Sequence, residues 1–297
     1  QAIKREYVVT EISARAYLLP ESSGGTVTAF FRRLLAEKLV DAVLAPQRAG
    51  KTVAMALSAA PDSIAVIDSI SPVMAVNAAT AVGELTAGGS AGRIAAFLRP
   101  CEARAVVELV KLKQASAEKL LLVSADCYGT FPVKDFAAWA KETDDPEKAF
   151  LEIAGSEETE KKLRPGCRLC VSPAPAAVDL AIQIFGQGAS GGVSLEARTE
   201  KGAAALDALK LEPAPGQPKR REVLDGLIKR RQAARDKIDL GDFLALISNC
   251  VRCYNCRSAC PICYCKECLF SDPAKLGYDS ERYLSWARKR GAIRMPA

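Results

Sequence analysis

Apolar positions between residues 22 and 114 recur first at helical spacing and then at strand spacing. Val27, Phe30, Phe31, Leu34 and Leu35 fall on one face of a helix opened by the turn Ser22-Ser23-Gly24-Gly25-Thr26, and the apolar run Val40 to Leu44 follows as a strand. Strands are expected again at Thr52 to Ala59 and Ser63 to Ile67, and a helix of small residues at Met74 to Leu85. Arg93 to Leu98 reads as a buried strand, Glu102 to Gln114 as an amphipathic helix and Lys119 to Ser124 as a second buried strand, which together predict a βαβ unit. A helix over Pro175 to Phe185, a glycine-rich turn at Gly186 to Gly192, a strand at Val193 to Arg198 and a helix at Glu200 to Lys210 complete the pattern.

Alternation of this kind predicts an α/β body over residues 1–210. Leu211-Glu-Pro-Ala-Pro-Gly-Gln-Pro218 reads as a linker, which with a basic helix makes up residues 211–241, and a cysteine-rich module with a C-terminal helix occupies residues 242–297. The basic runs Lys219-Arg-Arg221 and Lys229-Arg-Arg231 read as a solvated helix face, with docking to a partner as the alternative. Tyr278 to Arg290 carries Tyr283, Leu284 and Trp286 among charges, which suits either local packing or an interface with a partner.

With 297 residues, 49% of them apolar, the chain has material for one large or two modest cores, so disulfide staples are not needed. Free thiols then imply a reducing compartment and a cytoplasmic location. No signal peptide is apparent, and the most apolar stretch is interrupted by Pro61, Asp62, Asp68, Pro72 and Asn77, so no membrane span is expected. The absence of histidine excludes histidine-held haem, Rieske centres and histidine acid–base catalysis. The formal charge of +6 gives little support to nucleic-acid binding, because ionised thiolates among the eleven cysteines would offset much of it.

Eleven cysteines change the picture most. Cys250, Cys253, Cys256 and Cys260, followed by Pro261, have the C-x2-C-x2-C-x3-C-P spacing of bacterial-ferredoxin loops, and Cys263, Cys265 and Cys268 come directly after. Short steps of this kind aim several thiolates at one cubane, whereas a zinc ribbon wants two C-x2-C pairs far apart. The fourth ligand to Cys250, Cys253 and Cys256 is either Cys260 or Cys268, and the module holds one cluster or two. In the body, Cys101 and Cys127 follow the two strands of the βαβ unit, so both fall on the carboxyl edge of a parallel sheet. Cys167-Arg-Leu-Cys170 supplies a C-x2-C loop that completes a second four-thiolate site, although either strand-end cysteine alone is also an ordinary small core residue. Two or three [4Fe-4S] clusters are expected in all.

Several segments taken together resemble the beta-subunit family of coenzyme F420-reducing hydrogenases and formate dehydrogenases. They are Ser23-Gly24-Gly25-Thr26-Val27-Thr28-Ala29 running into Leu39 to Val43, then Leu98-Arg-Pro-Cys101-Glu-Ala-Arg-Ala105, Cys127-Tyr-Gly-Thr130, Cys167-Arg-Leu-Cys170 and Arg198-Thr-Glu-Lys-Gly202. The Arg-Pro-Cys-Glu form is similar to formate dehydrogenase beta-like subunits outside the F420-using group, which leaves the carrier open. The resemblance implies a mixed α/β flavin-binding body with a C-terminal ferredoxin-like iron–sulfur module. It further implies FAD, a partner redox subunit in a multi-subunit complex, and a soluble hydride carrier such as F420. The flavin, with no catalytic side chain, would carry the chemistry. Gly24 and Gly25 before a helix can bring backbone amides to a pyrophosphate, with Ser22, Ser23, Thr26 and Thr28 donating hydroxyls, although a Ser-Gly-Gly turn is also an ordinary helix cap. Asn77, Arg99, Lys111 and Lys113 are further candidate contacts. A flavin-free relay subunit of a heterodisulfide-reductase-like complex and a zinc-containing binding module are the alternatives.

Overall fold

The computed structural model describes residues 16–18, 25–89, 92–186, 193–211, 213–214, 219–251 and 253–265. Contacts divide the chain into two compact units, residues 1–249 and 250–297.

The first unit is built on an eight-stranded mixed sheet with strand order β3-β2-β4-β5-β6-β7-β1-β8. The strands are β1 (Ala16–Leu18), β2 (Ala42–Ala49), β3 (Thr52–Ser58), β4 (Ile94–Leu98), β5 (Leu120–Ala125), β6 (Leu180–Gln183), β7 (Ser194–Ala197) and β8 (Pro213–Ala214). β2, β4, β5 and β6 run parallel at the centre, and the remaining pairings are antiparallel. Helices α1 (Thr26–Ala36), α2 (Ala79–Thr86), α3 (Pro100–Lys111) and α8 (Glu200–Ala208) belong to this α/β pattern. Short helices α4 (Val133–Trp139), α5 (Pro146–Ile153), α6 (Glu157–Lys162) and α7 (Pro165–Arg168) fill the long crossover between β5 and β6.

Two hydrophobic clusters account for the continuous apolar runs of the central strands. In β4, Ala95 and Phe97 join a cluster with Phe30, Phe31 and Leu34 of α1, while Ile94, Ala96 and Leu98 join one with Val106 and Leu109 of α3. β5 divides the same way, Leu121 and Val123 to one side and Leu120 and Leu122 to the other. Successive side chains point to opposite faces, so a strand covered on both faces must be apolar throughout. Each large aliphatic or aromatic side chain so buried contributes about 1.5–3 kcal/mol.

The expected βαβ unit is present, with Ile94 to Leu98 in parallel register with Leu120 to Ser124. Three expectations are corrected. The helix expected over Pro175 to Phe185 is instead strand β6, a fully buried member of the parallel centre; a buried parallel strand lacks the two-residue alternation that would have marked it. The strand expected at Ser63 to Ile67 is a short 3-10 turn at Pro61–Ser63 followed by a single antiparallel bridge between Ile67 and Gln47. The helix expected from Met74 begins only at Ala79, because the carbonyls ahead of it are taken by arginines.

The chain after residue 210 also differs from a free linker. Pro213–Ala214 forms edge strand β8 on β1, a position where a proline without an N–H is tolerated. Helix α9 (Arg220–Arg235) packs on the body with Leu227 and Arg231 buried, and the compact units part at Asn249/Cys250. The basic runs are solvated at Lys219, Arg221, Lys229 and Arg230, but two members turn inward: Arg220 grips the buried Asp126 with contacts of 2.8 and 2.6 Å, and Arg231 grips Glu160. The following helix, α10 (Leu240–Ser248), is capped by the Asp239 side chain and leaves Leu240, Phe243, Leu244, Leu246 and Ile247 exposed.

In the second unit the described residues form a short helix, α11 (Asn255–Ala259), entered through Tyr254 in a left-handed conformation. Turn hydrogen bonds run from Cys260 N to Cys256 O and from Cys263 N to Cys260 O. Among the described residues no helix is long and apolar enough to cross a membrane.

Candidate functional site

The carboxyl edge of the parallel strands gathers the chemistry. β4 ends into Arg99 and the start of α3, where Glu102 accepts from Arg99 N at 2.9 Å and from Ala78 N at 2.8 Å. This buried carboxylate closes the first turn of α3 and ties the entry to α2 against it. Cys101 stands on that first turn, exposed at the rim. β5 ends into Asp126 and Cys127, and Asp126 accepts from Ile184 N and Phe185 N at the end of β6 as well as from Arg220. Cys127 N donates to Pro173 O at 2.9 Å, which brings the segment after Cys170 to the same edge.

Cys167 lies on α7 and Cys170 just beyond it, with Cys170 N bonded to Cys167 O at 3.2 Å. Thr130 Oγ1 approaches Cys167 Sγ at 3.4 Å, and a Cβ built on Gly129 would stand 3.2 Å from Cys167 Cβ. Gly129 has φ +112° and packs under Leu163, so only glycine fits between the Cys127 turn and α7. The Cys101 thiol is pushed up to about 12, first by desolvation and then by the like charge of Cys127 and Glu102, with Cys167 adding to it and Arg99 opposing. Clustered thiols resist ionisation when nothing cationic lies between them, and a metal core reverses that balance. All four cysteines are free.

Among the described residues no three cysteine or carboxylate side chains stand close enough to hold a single metal ion. A cubane spreads its four thiolates over separate irons. Cys101, Cys127, Cys167 and Cys170 lie on segments that meet at this sheet edge, and their donor type is the one a [4Fe-4S] cluster takes.

Beside this set a shallow cleft of about 70 Å³ opens over the ends of β4 and β5, lined by Phe97, Val73, Met74, Asp68, Ser69 and Cys127 among others. Its wall at residues 71–74 is held by two arginines from the cysteine segments: Arg99 donates to Ser71 O and Val73 O, and Arg164 donates to Met74 O at 2.7 Å. Arg99 also donates to Cys127 Sγ at 3.3 Å. Burial pulls the Arg99 pKa down, but the neighbouring Cys127 and Glu102 together raise it above its ordinary value.

On the far side of the cleft Asp68 accepts from Ser71 and Ile70, and Glu147 accepts from Ser69 while pairing with Arg48 at 2.9 Å. Glu147 is pushed up to about 7 by burial and then by Asp68, with Ser69 and Arg48 pulling it back.

Of the flavin candidates, Ser22, Ser23 and Gly24 lie outside the described residues. Gly25 caps α1 at φ +89°, and no described side chain caps that helix start. Thr26 begins α1, whereas the buried Thr28 turns its hydroxyl inward to accept from Ile67 N at 2.9 Å, which ties the helix to the segment that carries Asp68 and Ser69. Asn77 caps the entry to α2 through Ala79 N. Lys111 and Lys113 are not brought to the rim: α3 runs back from the carboxyl edge, so Lys111 lies about 15 Å along the axis from Cys101, and it pairs with Glu108. Cys250, Cys253, Cys256, Cys260, Cys263 and Cys265 are exposed in the second unit, and Cys268 lies outside the described residues.

Periodicity placed Asp126 beside Cys127 at the strand end but did not reveal Glu102, Gly129, Glu160 or Arg231 as parts of the site. Glu102 carried a signal, since it stands three residues after the helix-capping position. Arg231 carried none, because its partners are 71 and 103 residues away.

Comparisons with known proteins bear on this arrangement. The family model of coenzyme F420 hydrogenase/dehydrogenase, beta subunit N-term, matches residues 12–66. The F420-dependent formate dehydrogenase 1 subunit beta of Methanococcus maripaludis is 27% identical, over 90% of this chain and 79% of that protein. The F420-dependent formate dehydrogenase subunit beta of Methanocaldococcus jannaschii is 26% identical, over 89% of this chain and 78% of that protein. A chain of the F420-reducing [NiFe] hydrogenase complex from Methanosarcina barkeri shares the fold with TM-score 0.56 and 16% identity, covering 75% of this chain and 90% of its own. By its motifs, its family-model match and relatives that span most of its length, the chain is a relative of the beta subunits of coenzyme F420 hydrogenases and dehydrogenases.

Proposed function

We propose that this chain is an iron–sulfur flavoprotein electron-transfer subunit of an oxidoreductase complex. It would pass electrons between a partner redox subunit, of formate dehydrogenase or hydrogenase type, and a two-electron carrier such as coenzyme F420. The observation that carries the reading is the convergence of Cys101, Cys127, Cys167 and Cys170 on the sheet edge, with Cys127 itself lining the cleft beside it. A bound cluster supplies one-electron transfer, and a bound FAD supplies exchange between one-electron and two-electron chemistry.

The residues of the chain do the rest. The four cysteines hold the cluster; Phe97, Val73 and Met74 exclude water from the cleft; and the Arg99 and Arg164 contacts fix the cleft wall relative to the cysteine segments. The amides of the α1 start, opened by Gly25, would hold the phosphates of the dinucleotide. The cysteines from Cys250 to Cys268 form a ferredoxin-like module that carries electrons to the partner, and thiolate ligation throughout suits the reducing cytoplasm.

The experiment is anaerobic purification of the full chain with iron, sulfide, zinc and flavin assays and visible spectra, for the native sequence and for Cys167→Ser. The expected result is loss of about four irons in Cys167→Ser with the C-terminal cluster signal intact. Unchanged iron and an unchanged electron paramagnetic resonance spectrum would refute the cluster assignment. Clusters without flavin after anaerobic reconstitution would refute the flavin assignment and leave a relay subunit.

A further inference from the structure

We propose that two arginines from distant parts of the chain, Arg99 and Arg231, set the reduction potential of the four-cysteine site, an inference that rests on the cluster reading above. Arg99 follows β4 and places Nη1 3.3 Å from Cys127 Sγ. Its other terminal nitrogen is committed to Ser71 O at 2.6 Å and Val73 O at 3.0 Å, so the guanidinium cannot swing away from the sulfur. Arg231 comes from α9 and donates to the carbonyl of Tyr128, the residue after Cys127, at 2.6 Å. Glu160 holds it there with contacts of 2.7 and 3.1 Å.

Both cations therefore meet the same strand end. Arg231 is 1% exposed, a rare environment for an arginine. Its partner Glu160 is nearly buried too, so the pair lies in little water, with the guanidinium end on the side of Tyr128 O. Burial pulls the Arg231 pKa down, yet Glu160 raises it above its ordinary value, and Cys127 and Cys170 contribute to that rise. The two cysteines are thus within its field.

Accepting one electron takes a four-thiolate cubane from a net charge of about −2 to about −3. A fixed, desolvated cation nearby favours the more negative state, and an N–H donated to a ligating sulfur acts in the same direction. Arg99 supplies both effects and Arg231 the first. A bland reading holds Arg231 to be a structural clamp between α9 and α6. That reading predicts a change in stability but none in potential.

The test is a potentiometric titration of the full chain followed by electron paramagnetic resonance, the body cluster being identified as the signal missing in Cys167→Ser. Arg99→Gln removes the charge and keeps an amide donor, while Arg99→Lys keeps the charge. Because Arg231→Gln alone would strand a buried carboxylate, the whole ion pair is removed in Arg231→Gln with Glu160→Gln, which keeps the net charge but withdraws the cation bonded to Tyr128 O. The expected result is a midpoint shifted to more negative potential in Arg99→Gln and in the double variant, little shift in Arg99→Lys, and C-terminal signals unmoved in all three. An unshifted body midpoint in both Arg99→Gln and the double variant overturns the inference, as does loss of the body cluster from both while their melting shows a folded chain. If the native protein has no signal that depends on Cys167, the cluster reading has failed and the inference falls with it, a result distinguishable from an unshifted midpoint.

Discussion

Gly129→Ala gives a sharp test of how the cysteine site is assembled. Gly129 lies two residues after Cys127 with φ +112°, a conformation that costs a side-chain-bearing residue on the order of 1–3 kcal/mol. A Cβ there would stand 2.8 Å from Leu163 Cδ1, 3.1 Å from Leu163 Cδ2 and 3.2 Å from Cys167 Cβ. Leu163 is buried, so it cannot rotate into solvent, and overpacking of this kind adds roughly 1–3 kcal/mol. The combined cost is about 2–6 kcal/mol. At about 2–4 °C per kcal/mol for a domain of this size, melting of the body should fall by roughly 4–24 °C. The displaced Cys167 should lower iron retention by the body site as well. Differential scanning calorimetry and iron analysis of Gly129→Ala, Leu163→Ala and the double variant separate the two terms, since in the Leu163→Ala background the contact is gone but the backbone strain stays. A Gly129→Ala protein that melts with the native one and retains full iron would refute this account of the site.

Three further outcomes are expected. Glu147, pushed up to about 7 from an ordinary 4.5, binds more protons folded than unfolded between those values, so it makes stability fall as pH rises through that window; Glu147→Gln should narrow the difference in melting temperature between pH 4.5 and pH 7, and an unaltered difference would show that the carboxyl does not titrate there. A Cβ on Gly186, at φ +78°, would meet Lys219 C at 2.8 Å and Arg220 N at 3.0 Å, so Gly186→Ala should push the start of α9 away from Asp126 and lower amide-exchange protection across Arg220–Arg235; native protection would count against that packing. Gly25→Val should lower flavin occupancy far more than C-terminal cluster content, because it restricts the positive-φ turn at the α1 start, and equal flavin content would remove that turn from the flavin site.

Much of the candidate site was legible because its signals are local. Ligand spacing at Cys250 to Cys260 is set by a few consecutive residues, and the βαβ periodicity alone was enough to predict Cys101 and Cys127 on one edge, since handed crossovers leave little choice of topology. The helix at Val27 to Leu35 and the strands at Thr52–Ser58 and Ile94–Leu98 follow from the spacing and length of their apolar runs. What only the tertiary structure decided depends on partners far along the chain. β6 reads as an ambiguous apolar run until β5 and β7 flank it, because burial on both faces erases the two-residue period. Lys111 left the site because a helix of fixed rise carries its end away from the edge where it starts. Arg231 is one more basic residue in a basic run until Glu160 and Tyr128 remove it from water. Local pattern specifies which residues can pack and which can ligate, while the cost of burying an unpaired charge is resolved only when the fold brings its partner into reach.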